Sequence, residues 1–101
     1  MLFNTTKSLV NTGTTAIYNV DTTLYDSLFL DYTIKSGSNM RAGQMTSAWI
    51  YGNIVYNEVA TIDIGSTAGA LLSSTLEGSF ATIDFTAPSD GWTIKTIVRS
   101  I

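Results

Sequence analysis

Scattered carboxylates, an arginine just past a glycine turn and a group of aromatic rings are the side chains here with the means to do chemistry. The acidic residues run from Asp21 to Asp90 without forming a recognisable acid/base pair, so hydrolysis by two facing carboxyl groups has no signature. Asp31, Asp63 and Asp84 adjoin apolar strand residues and read most simply as solvated positions. A calcium ion could use Asp63, Asp84 or Asp90 with loop carbonyls, but the ligand spacing that identifies such a loop is missing. Histidine and cysteine are both absent. Their absence removes the commonest general base, the hydrolase triad, thiolate metal sites and disulfides together. The expectation is a chain that is not an enzyme, with no catalytic residue, cofactor or metal.

The glycine-containing loops Ser36-Gly37-Ser38-Asn39 and Gly65-Ser66-Thr67-Ala68-Gly69 do not lead into helices or carry a phosphate-binding lysine, so they read as turns. Trp49, Tyr51 and Tyr56 surround the Gly52-Asn53 dipeptide and admit two readings. They are either core or subunit-interface residues, or an exposed platform that stacks on a sugar. Arg41 also has two: an outward guanidinium that bridges to Asp31 or to a neighbouring subunit, or an exposed ion pair that contributes little.

These groups sit on strands. In the stretch from Tyr25 to Tyr51, Leu28, Leu30, Tyr32 and Ile34 fall on one side and Asp31, Thr33 and Lys35 on the other, the period of a half-buried strand. The polar Ser36–Asn39 segment then reverses the chain into Arg41–Tyr51, making a long hairpin. Gly52-Asn53 suits a tight turn into Ile54–Glu58. Thr15–Val20, with Ala16, Tyr18 and Val20 on one face, reads as another strand, followed by at most one helical turn capped by Asp21. Ala70–Glu77 and Phe80–Thr86 form a second hairpin signal, with Ile83 and Phe85 inward. The closing segment, Trp92–Ile101, is apolar on both faces, as expected of a strand paired near the middle of a sheet or buried in an interface. About seven or eight short strands with regular turn signals point to an all-β fold, an antiparallel β-sandwich, with jelly-roll connections as one arrangement. Residues 1–14 read as an N-terminal arm or edge strand and residues 15–101 as the β-sandwich domain.

Charged residues make up 13% of the chain, about half the usual share of roughly 25%, while 45% is hydrophobic. Thr and Ser therefore cover much of the exterior. A net charge of -3 with five isolated cations offers nothing to a phosphate backbone, so nucleic acid is not an expected partner. No apolar run approaches the roughly 18 residues of a membrane span, and the N-terminus lacks the basic and apolar regions of a secretory signal. A product made in a cytoplasm, with no membrane partner, is expected.

YDSLFLDYTIKSGSNMRAG at 25–43, TIDIGST at 61–67 and GWTIKTIVRSI at 91–101 together resemble a module of structural proteins from tailed bacteriophages. The resemblance covers roughly residues 14–101 and implies a virion component: a head-decoration, cement, fibre or spike subunit, often a homotrimer, whose partners are its own copies and other virion proteins such as the major capsid protein. Residues 1–14 would then be the anchoring arm. The contact residues expected are Leu2, Phe3, Leu9 and Val10 in the arm, Arg41 beside the turn, and Ile97, Arg99 and Ile101 at the end. The alternative is a carbohydrate-binding module for host-surface glycan at a fibre or spike tip, with Trp49, Tyr51 and Tyr56 as its stacking platform.

Overall fold

A computed structural model describes the backbone of residues 2–101 and the side chains from Val10 onward. Among these residues there are eight strands: β1 (Leu2–Val10), β2 (Gly13–Asp21), β3 (Ser27–Ser36), β4 (Asn39–Ile50), β5 (Asn53–Ala60), β6 (Leu71–Glu77), β7 (Phe80–Ala87) and β8 (Trp92–Ser100). They form two antiparallel sheets: a larger one in the order β1-β8-β3-β4-β5 and a smaller one in the order β2-β7-β6. The architecture is all-β and has the two layers of a β-sandwich. The outer pairs, β1 with β8 and β2 with β7, are nested as in a jelly roll. The roll stops there, because β4 stays beside β3 in a direct hairpin instead of crossing to the other sheet.

Alternation explains the core. Leu28, Leu30, Tyr32 and Ile34 of β3, Met45 and Trp49 of β4, and Trp92, Ile94 and Val98 of β8 point inward from the larger sheet. Ile83 and Phe85 of β7 and Leu72 of β6 meet them from the smaller one. Within this apolar layer Ser47 and Ser74 share a hydrogen bond of 2.8 Å between their hydroxyls, so neither is buried without a partner. The C-terminal strand β8 lies between β1 and β3, a medial place in the sheet; its inner residues are buried, while Ile97 on the outer face is 46% exposed.

Two local features depart from the sequence reading. In β2 the register with β7 shifts between Ala16 and Tyr18, and this irregularity turns Ile17 inward to 6% exposure while Ala16 faces out. A bulge adds one residue to one strand and so inverts the facing expected from simple alternation. The turn into β5 is Tyr51-Gly52, not Gly52-Asn53: both residues have positive φ, 49° and 77°, and Asn53 already pairs with Ile50. Positive φ at both central positions is the geometry of the hairpin turn whose twist matches that of the strands. After β2, the amides of Leu24 and Tyr25 both donate to the Asp21 carbonyl, and the Asp21 carboxylate accepts from the Thr23 amide at 2.8 Å, a single capped turn.

Candidate functional site

Asn39, Met40 and Arg41 begin β4 directly after the Gly37-Ser38 turn, and all three hold the loop of residues 61–70 that follows β5. The Asn39 side-chain oxygen accepts from the Ser66 amide at 2.9 Å, and Met40 exchanges backbone hydrogen bonds with Ile64. Arg41 donates to the Thr67 hydroxyl at 3.2 Å and to the Ala70 carbonyl at 2.9 Å. Thr67, 1% exposed, donates its hydroxyl hydrogen bond to Asp63 Oδ1 at 2.5 Å, and its amide donates to Asp63 Oδ2 at 2.9 Å. These hydrogen bonds to the charged form, with Arg41 nearby, hold the Asp63 carboxyl below its ordinary value.

The other side of Arg41 meets β3 and β5. Its Nε donates to the Tyr32 hydroxyl at 3.2 Å, and one terminal nitrogen lies 3.3 Å from Glu58 Oε2. Tyr32 in turn donates to the same Glu58 oxygen. Burial pushes the Glu58 carboxyl above its ordinary value. The Tyr32 phenol lies over Gly43, its cross-strand neighbour, where an added Cβ would come within 2.7 Å of both the phenol oxygen and the Val59 carbonyl. Two segments quoted above for their resemblance, SGSNMRAG and TIDIGST, are thus the two halves of one clasp. Its polar groups are spent on one another, so the clasp fixes a loop.

Arg41 therefore faces inward, its guanidinium bonded to Tyr32, Thr67 and Ala70, a correction to the outward placement read from the sequence. The inversion has a physical cause: Thr67 and Ala70 return to it from 26 and 29 residues along the chain. Trp49 is corrected as a member of an exposed platform. It is 8% exposed, and its indole nitrogen donates to the Tyr25 carbonyl at 2.7 Å. Tyr51, at the hairpin tip, is 94% exposed, and Tyr56 is half exposed on β5. Trp49 thus takes the core reading, and the three-ring platform of the carbohydrate-binding alternative is reduced to two tyrosines on different parts of a hairpin.

Of the expected contact residues, the side chains of Leu2, Phe3 and Leu9 lie outside the described residues. Val10 is buried in its own core, and its carbonyl accepts from the Gly91 amide. Ile97 and Ile101 are exposed, although the Ile101 carbonyl is held by the Asp26 and Ser27 amides. Arg99 stacks on the Phe29 ring with its guanidinium carbon 4.6 Å from the centroid. Around this pair, on the outer face of the larger sheet, lies a dish of about 230 Å³ edged by Asp31, Gln44, Thr46 and Ile97. It is smaller than the roughly 300–1,000 Å³ typical of small-molecule pockets.

The carboxylates serve local structure. Asp90 Oδ1 accepts from the Thr12 amide and hydroxyl at 2.7 and 2.9 Å, tying the β7–β8 loop to the β1–β2 turn. Among the described residues no group of carboxylates could hold a metal ion. What the sequence reading passed over is the exposed outer face and open edge of β5. Val55 and Val59 stand 69% and 71% exposed on its outer face, and among the described residues no strand pairs with its free side. The signal was available in NIVYNEVA, whose apolar residues occupy both faces of one strand.

No described protein family matches the chain, and no curated protein matches it in sequence. Among solved structures it is similar to the crystal structure of the Acinetobacter phage vB_ApiP_P1 tailspike protein, with a TM-score of 0.59 at 12% identity. The match covers 99% of this chain and 22% of that one, so the likeness is of fold and to about a fifth of a longer protein.

Proposed function

We propose that this chain is a β-sandwich module of a bacteriophage virion, of the fibre or spike kind, which acts by binding protein chains and catalyses no reaction. The observation that carries this reading is the outer face and free edge of the larger sheet, where Val55, Val59 and Ile97 stand in solvent amid a sparsely charged surface. Apolar side chains set among neutral polar ones suit contact with another folded surface. The likeness to a fragment of a tailspike supports an appendage in preference to a capsid cement. Self-association and attachment to other virion proteins follow as its partners, and the virion as its place.

A glycan-binding role at a spike tip is the weaker reading, since Trp49 is withdrawn from the surface and Tyr51 and Tyr56 would have to act without it. Electron microscopy of purified particles, labelled with an antibody against this chain, tests the proposal. Label on a tail or head appendage is the expected result. Uniform label over the capsid lattice would favour a cement, and particles free of label would overturn the virion assignment.

A further inference from the structure

The larger sheet ends in β5, whose hydrogen-bonding side can be assigned residue by residue. Ile50 and Asn53 close the two-residue Tyr51-Gly52 turn, and the Thr61 amide donates to the Ala42 carbonyl at 2.8 Å in the same register. In an antiparallel ladder bonded positions alternate, so Asn53, Val55, Asn57 and Val59 direct their backbone groups toward β4. Ile54, Tyr56, Glu58 and Ala60 direct theirs away from it, onto the open edge.

Exposed edges are usually blunted by bulges, lysines or prolines. The registers of β1 and β2, two of the other edge strands, are broken by irregularities. β5 pairs with β4 without a shift, contains no proline or lysine, and has one charge, Glu58, whose carboxylate is already held by Arg41. Nothing on this edge repels an identical edge.

We propose that β5 is a docking edge for β5 of a second copy, an inference that rests on the protein-binding reading above and names the partner. The strands would run antiparallel about a two-fold axis through Asn57, joining two larger sheets into one. Opposed residues must share a face, and a slip of one residue would set inner against outer side chains, so only alternate registers are allowed. The register centred on Asn57 uses the whole strand. It places Ile54 opposite Ala60 and Tyr56 opposite Glu58 of the second copy, all with free backbone groups. On the outer face it sets Val55 against Val59, while the paired Asn57 amides can both donate and accept. The strand is self-complementary in hydrogen bonding, facing and hydropathy together.

Sedimentation equilibrium of the whole chain over a concentration series tests this, with unchanged denaturation midpoints as the check that variants fold. The wild type is expected to dimerise with a Kd below about 1 mM. Val55→Lys/Val59→Lys opposes like charges and should raise Kd at least about tenfold, whereas Val55→Lys/Val59→Glu should bring it back toward wild type. Tyr56→Pro removes an outward N–H without costing a ladder bond, and should also dissociate the pair. A wild type that stays monomeric, or a trimer indifferent to all three variants, would overturn edge pairing. Neither result would bear on whether the chain is found in virions, which the labelling experiment decides separately.

Discussion

β3 and β5 lie in the same sheet, only β4 between them, and both pair with β4 without a register shift. Their fates differ. β3 is bonded on both sides, by β8 and β4, and its inner residues Leu28, Leu30, Tyr32 and Ile34 are all 3% exposed or less. β5 is bonded on one side; even its inward Tyr56 is 47% exposed, and Val55 and Val59 on its outer face remain largely in water. The difference shows that a regular ladder makes a strand while neighbours decide what the strand is for. A central strand commits its side chains to the fold, and an edge strand keeps backbone and side chains for a partner.

The sharpest way to break the comparison is to truncate one residue in each strand. Leu30→Ala should destabilise the chain by about 2–5 kcal/mol, the cost of lost burial plus a cavity. Val55→Ala should change the stability of the monomer by less than about 0.5 kcal/mol. Urea denaturation of both variants at low protein concentration checks this, and equal losses would erase the distinction.

Gly43→Ala probes the seam between the two regions, because the new methyl group meets the Tyr32 phenol on one side and the Val59 carbonyl on the other. A backbone atom cannot rotate away, so a loss of about 1–3 kcal/mol is expected in the same assay. Arg41→Met should cost about 1–2 kcal/mol, since the guanidinium hydrogen bonds are only partly shielded from water. Its clearer readout is limited proteolysis, which should cut within residues 61–70 once Thr67 and Ala70 lose their donor.

The smallest expected effect is a pH dependence. Asp63, Asp21 and Asp90 each accept hydrogen bonds from a threonine, and their folded carboxyl values lie below the ordinary 3.8. A lowered value means that their contribution is present above the unfolded value and is lost as pH falls through the folded one. Thr67→Val removes the hydroxyl donor to Asp63 and should flatten that part of an acid titration of stability, while Thr67→Ser should preserve it.

Much of this molecule can be read from one line of residues. The β3–β4 hairpin and the inward set Leu28, Leu30, Tyr32 and Ile34 follow from period-two patterning, and the medial place of β8 from apolar residues on both of its faces, all local properties. The bulge in β2 does not, because an extra residue leaves no mark in composition. Arg41 was misplaced for a related reason: its inward course depends on a loop that closes from 26 residues away, and no local pattern encodes that return. Trp49 shows the limit for aromatic residues. A ring suited to stacking on a ligand is equally suited to a core, and here the Tyr25 carbonyl decides it by accepting the indole proton.

Amide hydrogen exchange along β5, followed by NMR at increasing protein concentration, tests most directly the claim that this edge is made for a partner. In dilute solution Val55, Asn57 and Val59 should exchange slowly and Ile54, Tyr56, Glu58 and Ala60 rapidly, and the second set should become protected as concentration rises. Rapid exchange of that second set at every concentration would contradict the account.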